Sequence, residues 1–287
     1  MKIYMNGEFV DKADAKISIF DHGFLYGDGG FEGIRSYKRC VFRLNQHIDR
    51  LYETAHTLMI DIPMSKEEMA EAVVATLKEN GIDDGYIRLI VTRGEGDLGL
   101  DPKKCFGKPA VIIIADTITL YPKELYEKGM AIMTAPTMRN IPEALNPQLK
   151  SLNYLNNIMA KIEAGNAGFN EAIMLDASGY VAECTGDNIF TVKNGIVYTP
   201  ISGRLRGITR DAVMALARDD GRTVEETWIT RHEIYNADEC FLTGTAAELI
   251  PVVTVDGRSI GGGTPGPVTM SLLEAFHGIT STDGVRY

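Results

Sequence analysis

Strand-like runs closed by tight turns recur along most of this chain, and only a few stretches of helical periodicity interrupt them. That mixture restricts the fold to a combined α and β class. KIYMNGEFV, AKISIFDHG and FEGIRSYKRCVFRL read as a meander, with Asn6-Gly7 as a hairpin turn. His47 to Leu58 has helical spacing, and Ser65 with Glu68 forms a capping box for a second helix that reaches about Glu79 and stops at Gly81. YIRLIVTRG and PAVIIIADTITL follow as paired strands around the polar, glycine-rich loop GEGDLGLDPKKCFGK. A first α+β lobe therefore spans 1–120 and a connection 121–127. The second lobe, 128–287, opens with the strand MAIMTAP and a helix ending near Asn166, before Gly168. It continues with the short strands EAIMLD, YVAEC, NIFTVK and IVYTP, turning at Ala177-Ser178-Gly179 and Asn194-Gly195. A helix from Thr209 to Ala217, the strands ECFLTG and PVVTVDG, and a helix from Thr269 to Phe276 complete it. With no repeat or disordered linker, two lobes with a cleft between them is the expected arrangement.

The stretch NPQLKSLNYLNNIMAKIEA places Lys150 between a proline turn and a helix. Leu152, Leu155, Ile158, Met159 and Ile162 recur at helical spacing, which predicts one buried face, Lys150 at the helix entrance and Tyr154 one turn on. Desolvation disfavours an ammonium group, and a neutral amine can add to an aldehyde to form a Schiff base. Taken alone, such a lysine is usually a solvated surface residue.

The chain has 287 residues, 45% of them hydrophobic, and its 29 basic against 39 acidic residues give a net charge of −10. That charge disfavours nucleic acid and anionic membrane as partners. No run has the length of a membrane span and the N-terminus lacks a signal-peptide pattern, so the expectation is a cytoplasmic protein. Cys40, Cys105, Cys184 and Cys240 form no CxxC pair and read as free thiols; the five histidines lack metal-ligand spacing and read as structural.

Five motifs taken together point further. KSLNYLNN, YVAECTGDNIF, RGITRD, FLTGTAAE and YGDGGFEGIRSY resemble, in order and spacing, the fold-type IV pyridoxal-phosphate aminotransferases, and are most similar to the branched-chain amino acid aminotransferases. The resemblance covers nearly the whole chain. It implies a two-domain α+β fold, with a smaller N-terminal lobe, a larger strand-rich C-terminal lobe and the cofactor cleft between them. It implies pyridoxal 5′-phosphate as cofactor, with Lys150 as the Schiff-base lysine and general acid–base. Glu183 would pair with the ring nitrogen and Tyr154 with the phenolic oxygen. Gly207, Ile208 and Thr209 at a helix start, with Arg50 and Thr245, would hold the phosphate. Without the resemblance, Thr209 reads as an N-cap, Arg50 as a helix-surface arginine and Glu183 as a strand-rim residue.

The substrate positions implied are Tyr26, Phe31, Gly33, Tyr86 and Arg88, then Leu98, Gly99 and Leu100 on a loop covering a neighbouring subunit's site. Arg88 with Tyr26 would receive a distal carboxylate; Thr245, Ala246 and Tyr86 would receive the α-carboxylate. At Thr117 and Leu120 the family's usual aromatic pocket residues are absent, and Cys184 stands where many relatives have glycine. The activity implied is reversible amino transfer between leucine, isoleucine or valine and 2-oxoglutarate, by a homodimer or larger homo-oligomer. A D-amino acid aminotransferase is the nearest alternative, although its basic Arg-x-His trap is replaced here by GDLGLDP. An aminodeoxychorismate lyase and a non-catalytic cofactor-binding protein are further alternatives.

Overall fold

Asn6 and Gly7, with φ of 52° and 100°, form the turn that pairs Lys2–Met5 with Glu8–Asp11, as a two-residue hairpin with both central residues left-handed requires. The computed structural model describes residues 1–118 and 121–287, and its contacts divide the chain into two units. The first comprises Met1–Ile118, Leu149–Asn153 and Thr280–Tyr287; the second comprises Thr119–Gln148 and Tyr154–Ile279.

Among the described residues the first unit holds a seven-stranded sheet in the order Gly284–Arg286, Cys40–Phe42, Gly29–Tyr37, Gly85–Thr92, Ala110–Asp116, Lys2–Met5, Glu8–Asp11. Every neighbouring pair is antiparallel. One face packs on the helices Leu44–Leu58 and Lys66–Glu79, burying Ile34, Ile87, Leu89 and Ile113 against Leu44, Ile48, Leu51, Met69, Val73 and Leu77. Each such side chain contributes about 1.5–3 kcal/mol relative to exposure. The Ser65–Glu68 capping box forms as the sequence indicates.

Two expectations fail in this unit. AKISIFDHG forms no strand: residues 15–20 pair with no ladder, and Ile17, Ile19 and Phe20 are exposed, because alternation without a partner strand cannot hold an extended run. The boundaries of the lobes also differ from the contiguous division expected. Leu149–Asn153 and Thr280–Tyr287 group with the N-terminal unit because their backbones pair there. The expected connection 121–127 largely becomes a helix, Lys123–Lys128. Leu120 lies outside the described residues, and Thr117 is exposed.

Among its described residues the second unit holds a nine-stranded mixed sheet. Its path runs Val224–Thr227, Ile196–Pro200, Asn188–Lys193, Glu239–Gly244, Glu248–Val255, Met130–Thr134, Ala172–Leu175, Val181–Cys184, with Arg258–Ser259 paired to Glu248–Val255. The core collects Ile132, Ile173, Val181, Ile189, Leu242 and Ile250. The helices Ile208–Asp219 and Pro267–Ile279 fall where the sequence places them. All four cysteines are free, and no helix among the described residues is long and apolar enough to cross a membrane.

The helix after Lys150 departs most from expectation. It spans Leu155–Asn166 with Tyr154 as N-cap, and buries Asn157, Ala160 and Ala164. Its apolar stripe faces outward, with Leu155 63%, Ile158 50%, Met159 46% and Ile162 49% exposed. Periodicity shows that a helix has an apolar face, but not what that face meets.

Candidate active site

In the first unit, Lys150 lies on an extended segment rather than at a helix entrance. Phe31 N donates to Lys150 O at 3.0 Å and Leu152 N donates to Gly29 O at 2.9 Å, so the segment lies along the start of the strand Gly29–Tyr37. That pairing keeps residues 149–153 out of the helix. Gly30 is required there, since a Cβ would sit 2.7 Å from Thr54 Cγ2.

The sheet register sets Phe31 against Ile90, Gly33 against Arg88 and Arg35 against Tyr86. Alternation therefore puts these six on one face, opposite the helix-packed one. Lys150 Nζ lies 4.4 Å from the Phe31 ring centroid and Arg88 Cζ lies 4.7 Å from it. Arg88 Nη2 donates to the Tyr86 hydroxyl at 3.0 Å. Gly33 is needed beneath that hydroxyl, which is 2.2 Å from where its Cβ would be. Thus Lys150, Phe31, Gly33, Tyr86 and Arg88 share one surface. Tyr26, which ends the helix His22–Tyr26, donates its hydroxyl to Leu98 O, and Gly99 N donates to Asp97 Oδ1 at 2.7 Å. Leu98 and Leu100 are exposed.

Arg50 is not a surface arginine. It is buried, and donates to both oxygens of the fully buried Glu32, Nε at 2.8 Å and Nη2 at 2.7 Å. His47 Nδ1 meets Glu32 Oε2 at 2.7 Å. Burial raises the Glu32 carboxyl, but the Arg50 charge and the hydrogen bonds from Arg50 and His47 overcome that and hold it at about 2. Burial pushes His47 down, while its hydrogen bond to Glu32 and the Glu32 charge oppose that. Glu32 and His47 escaped the sequence reading because nothing local links positions so far apart.

In the second unit, Glu183 is buried on the strand Val181–Cys184 and is no solvated rim residue. Arg139 Nε donates to Oε1 at 2.8 Å, while Asn188 Nδ2 and Leu205 N donate to Oε2 at 3.1 and 3.0 Å. Cys184 is fully buried beside it, its N donating to Asp187 O at 2.8 Å. Gly207 is the N-cap of the helix Ile208–Asp219 and offers no side chain to the first-turn amides; Thr209 is therefore not the cap, and sits buried within the first turn. Unpaired first-turn amides and the positive helix end are groups that attract anions. Arg210 in the same turn is held by Glu226 at 2.8 Å and Thr199 at 3.2 Å.

The TGDN loop draws three motifs of this unit together. Asn188 touches Glu183 and packs on Gly207, where a Cβ would lie 2.0 Å from Asn188 Oδ1. Asp187 packs on Gly244 in the same way, ahead of the turn carrying Thr245 and Ala246. Burial and then the Glu171 charge push the Asp187 carboxyl up to about 8. Thr243 Oγ1 is buried without a hydrogen-bond partner among the described residues. Tyr154 is half-buried at its helix start. Arg139 is the residue of this cluster that sequence reasoning missed; it lies 44 positions before Glu183, in no recognisable motif.

Residues 29–255 match the Amino-transferase class IV family, and the chain belongs to that family. Its fold is that of the fold-type IV aminotransferases. A Methanocaldococcus jannaschii protein is 53% identical over 288 residues, spanning 100% of this chain and 99% of its own length. The branched-chain amino acid aminotransferase of Escherichia coli superposes with a TM-score of 0.95 at 36% identity, covering 99% of this chain and 96% of that one. The branched-chain amino acid aminotransferase of Thermobaculum terrenum, solved in its PLP form, superposes with a TM-score of 0.89 at 28% identity, over 98% and 94% of the two chains.

Proposed function

We propose that this chain is a pyridoxal 5′-phosphate-dependent branched-chain amino acid aminotransferase, moving an amino group reversibly between L-leucine, L-isoleucine or L-valine and 2-oxoglutarate. The observation that carries the reading is the Lys150 amine 4.4 Å from the Phe31 ring centroid, on the sheet face that also carries Tyr86 and Arg88. When bound, the cofactor supplies an aldehyde for the amine and a ring that withdraws electrons from the substrate Cα.

The donor set fits that group. The uncapped first turn at Gly207, Ile208 and Thr209 would hold the phosphate, with Arg50, Thr245 and the Thr243 hydroxyl, which has no partner among the described residues, as further donors. Glu183 would pair with the ring nitrogen and Tyr154 with the phenolic oxygen. Lys150 Nζ would serve as the general base that takes the proton from the substrate Cα. Phe31 would pack against the substrate side chain and exclude water from it. Arg88, with Tyr26, receives the distal carboxylate of glutamate. Thr245, Ala246 and Tyr86 receive the α-carboxylate. The acidic, apolar loop from Asp97 to Pro102 favours this reading over a D-amino acid aminotransferase.

We further propose a homodimer or larger homo-oligomer. The outward stripe Leu155, Ile158, Met159 and Ile162, with exposed Leu98 and Leu100, is apolar surface that a second copy would cover.

The test is Lys150→Ala, assayed with a panel of L- and D-amino donors and 2-oxoglutarate. The unchanged protein should use L-leucine and its relatives, and the variant should bind cofactor noncovalently and turn nothing over. Full activity in the variant, or preference for D-donors in the unchanged protein, overturns the reading.

A further inference from the structure

Glu183 and Arg139 form a buried ion pair, with side chains 7% and 4% exposed. The arginine is fixed from behind: its Nη1 donates to Asn156 Oδ1 at 3.2 Å, and Asn156 donates to Met138 O at 2.8 Å while accepting from Asn140 N at 3.2 Å. The other donors to Glu183, Asn188 and Leu205 N, are neutral. Of the remaining ionisable groups near Glu183, Arg204 is already engaged by Glu226, Cys184 is held neutral by burial, and Asp187 stays protonated to about pH 8. Arg139 is thus a cation in direct contact with this carboxylate.

We propose that Arg139 is a positioning residue which, through Glu183, keeps the shared proton on the cofactor's ring nitrogen. This rests on the role given to Glu183 above and deepens it. A proton between a carboxylate and a pyridine nitrogen resides on the more basic of the two. A guanidinium 2.8 Å from the carboxylate balances its negative charge, so the carboxylate can accept from a protonated ring nitrogen and the ring keeps its positive charge and its electron-withdrawing power. Without that cation the proton crosses to Glu183 and the ring becomes neutral. The total number of protons is unchanged, so a pH–rate profile alone would not reveal the shift. The orientation of Oε2 is set separately by Asn188 and Leu205.

The test uses Arg139→Gln, which can still donate a hydrogen bond but carries no charge, beside Arg139→Lys and Glu183→Gln. In the cofactor-free proteins, Arg139→Gln should melt lower than the unchanged protein by more at pH 8 than at pH 5, because a lone buried carboxylate is tolerated only when protonated. Adding Glu183→Gln should remove that pH dependence. In the loaded enzymes, Arg139→Gln should lower kcat about 10- to 100-fold with KM for L-leucine nearly unchanged, and Arg139→Lys should recover most of it. Reconstitution with the cofactor's 1-deaza analogue, in which carbon replaces the ring nitrogen, should make the unchanged protein and Arg139→Gln equally slow. If Arg139→Gln does not fold, the same comparison with Arg139→Lys should give an intermediate loss that the analogue abolishes. A pH-independent loss of stability, or a loss of turnover that persists equally with the analogue, overturns the proposal. Fast Arg139→Gln beside slow Glu183→Gln also overturns it and leaves Glu183's role standing; fast Glu183→Gln overturns that role itself.

Discussion

Glu32→Gln keeps the shape of a fully buried side chain and removes its charge, leaving Arg50 buried without its counter-ion. The Glu32 carboxyl is held at about 2 against an ordinary 4.5; at about 1.4 kcal/mol per pH unit, this carboxylate contributes about 3 kcal/mol to folding at pH 7. That agrees with the roughly 3–5 kcal/mol lost when one member of a buried pair is removed. The sign follows from the lowered value. The contribution is complete above about pH 4.5 and is lost as pH falls toward 2, where the folded and unfolded carboxyls are both protonated. The variant should therefore be about 3 kcal/mol less stable at neutral pH, with the gap closing in acid. His47, pushed down by burial and up by Glu32, loses that upward pull in the variant, so the measured difference reports on the Glu32–His47–Arg50 cluster as a unit. The assay is urea unfolding by far-ultraviolet circular dichroism at several pH values, with hydrogen exchange across Leu44–Leu58 reporting on the unit that holds the pair; the single tryptophan, Trp228, lies in the other unit and would not report on it. A variant within about 0.5 kcal/mol of the unchanged protein at pH 7, or a gap that is flat with pH, refutes the reasoning.

Three further outcomes are expected. Arg88→Leu should weaken glutamate and 2-oxoglutarate by about 30- to 150-fold while sparing leucine, since a charge-assisted contact is worth about 2–3 kcal/mol; equal kcat/KM losses for both would remove Arg88 from the specificity argument. Gly33→Ala should displace the Tyr86 hydroxyl, 2.2 Å from the new Cβ, and raise KM for amino acids with little change in cofactor affinity measured by absorbance titration. Leu155→Glu with Ile158→Glu should lower the oligomeric state by light scattering without unfolding the chain, because both residues are exposed within one copy.

Features set by near neighbours were legible in the sequence. Asn6-Gly7 and Ser65 with Glu68 carry their own geometry, and both formed as expected. The helix start at Gly207 likewise lies where its motif places it. What the sequence withheld depends on distant partners. The stripe on Leu155–Asn166 looked like a core face because periodicity cannot distinguish a chain's own interior from surface left for another molecule. Ile17 and Ile19 alternate like a strand yet have no neighbour to pair with. Lys150 lies away from the expected helix entrance because Phe31 N donates to Lys150 O and Leu152 N to Gly29 O, partners far earlier in the chain. Glu32 with Arg50, and Glu183 with Arg139, are pairs that only the folded chain brings together.

The strand Gly284–Arg286 aligns Gly284 with Phe42 and Arg286 with Cys40, while Tyr287 donates its hydroxyl to Ile82 O at 2.6 Å and accepts from Arg39 Nε at 2.9 Å. On a ribosome, then, the unit that is begun first is completed only after the second has been made. Until residues 284–287 leave the exit tunnel, Cys40–Phe42 presents a bare ladder edge that any extended peptide can join, a hazard that lasts for most of the time of synthesis. A substitution or a proteolytic cut within residues 284–287 would act on the N-terminal sheet rather than on the helix that precedes them.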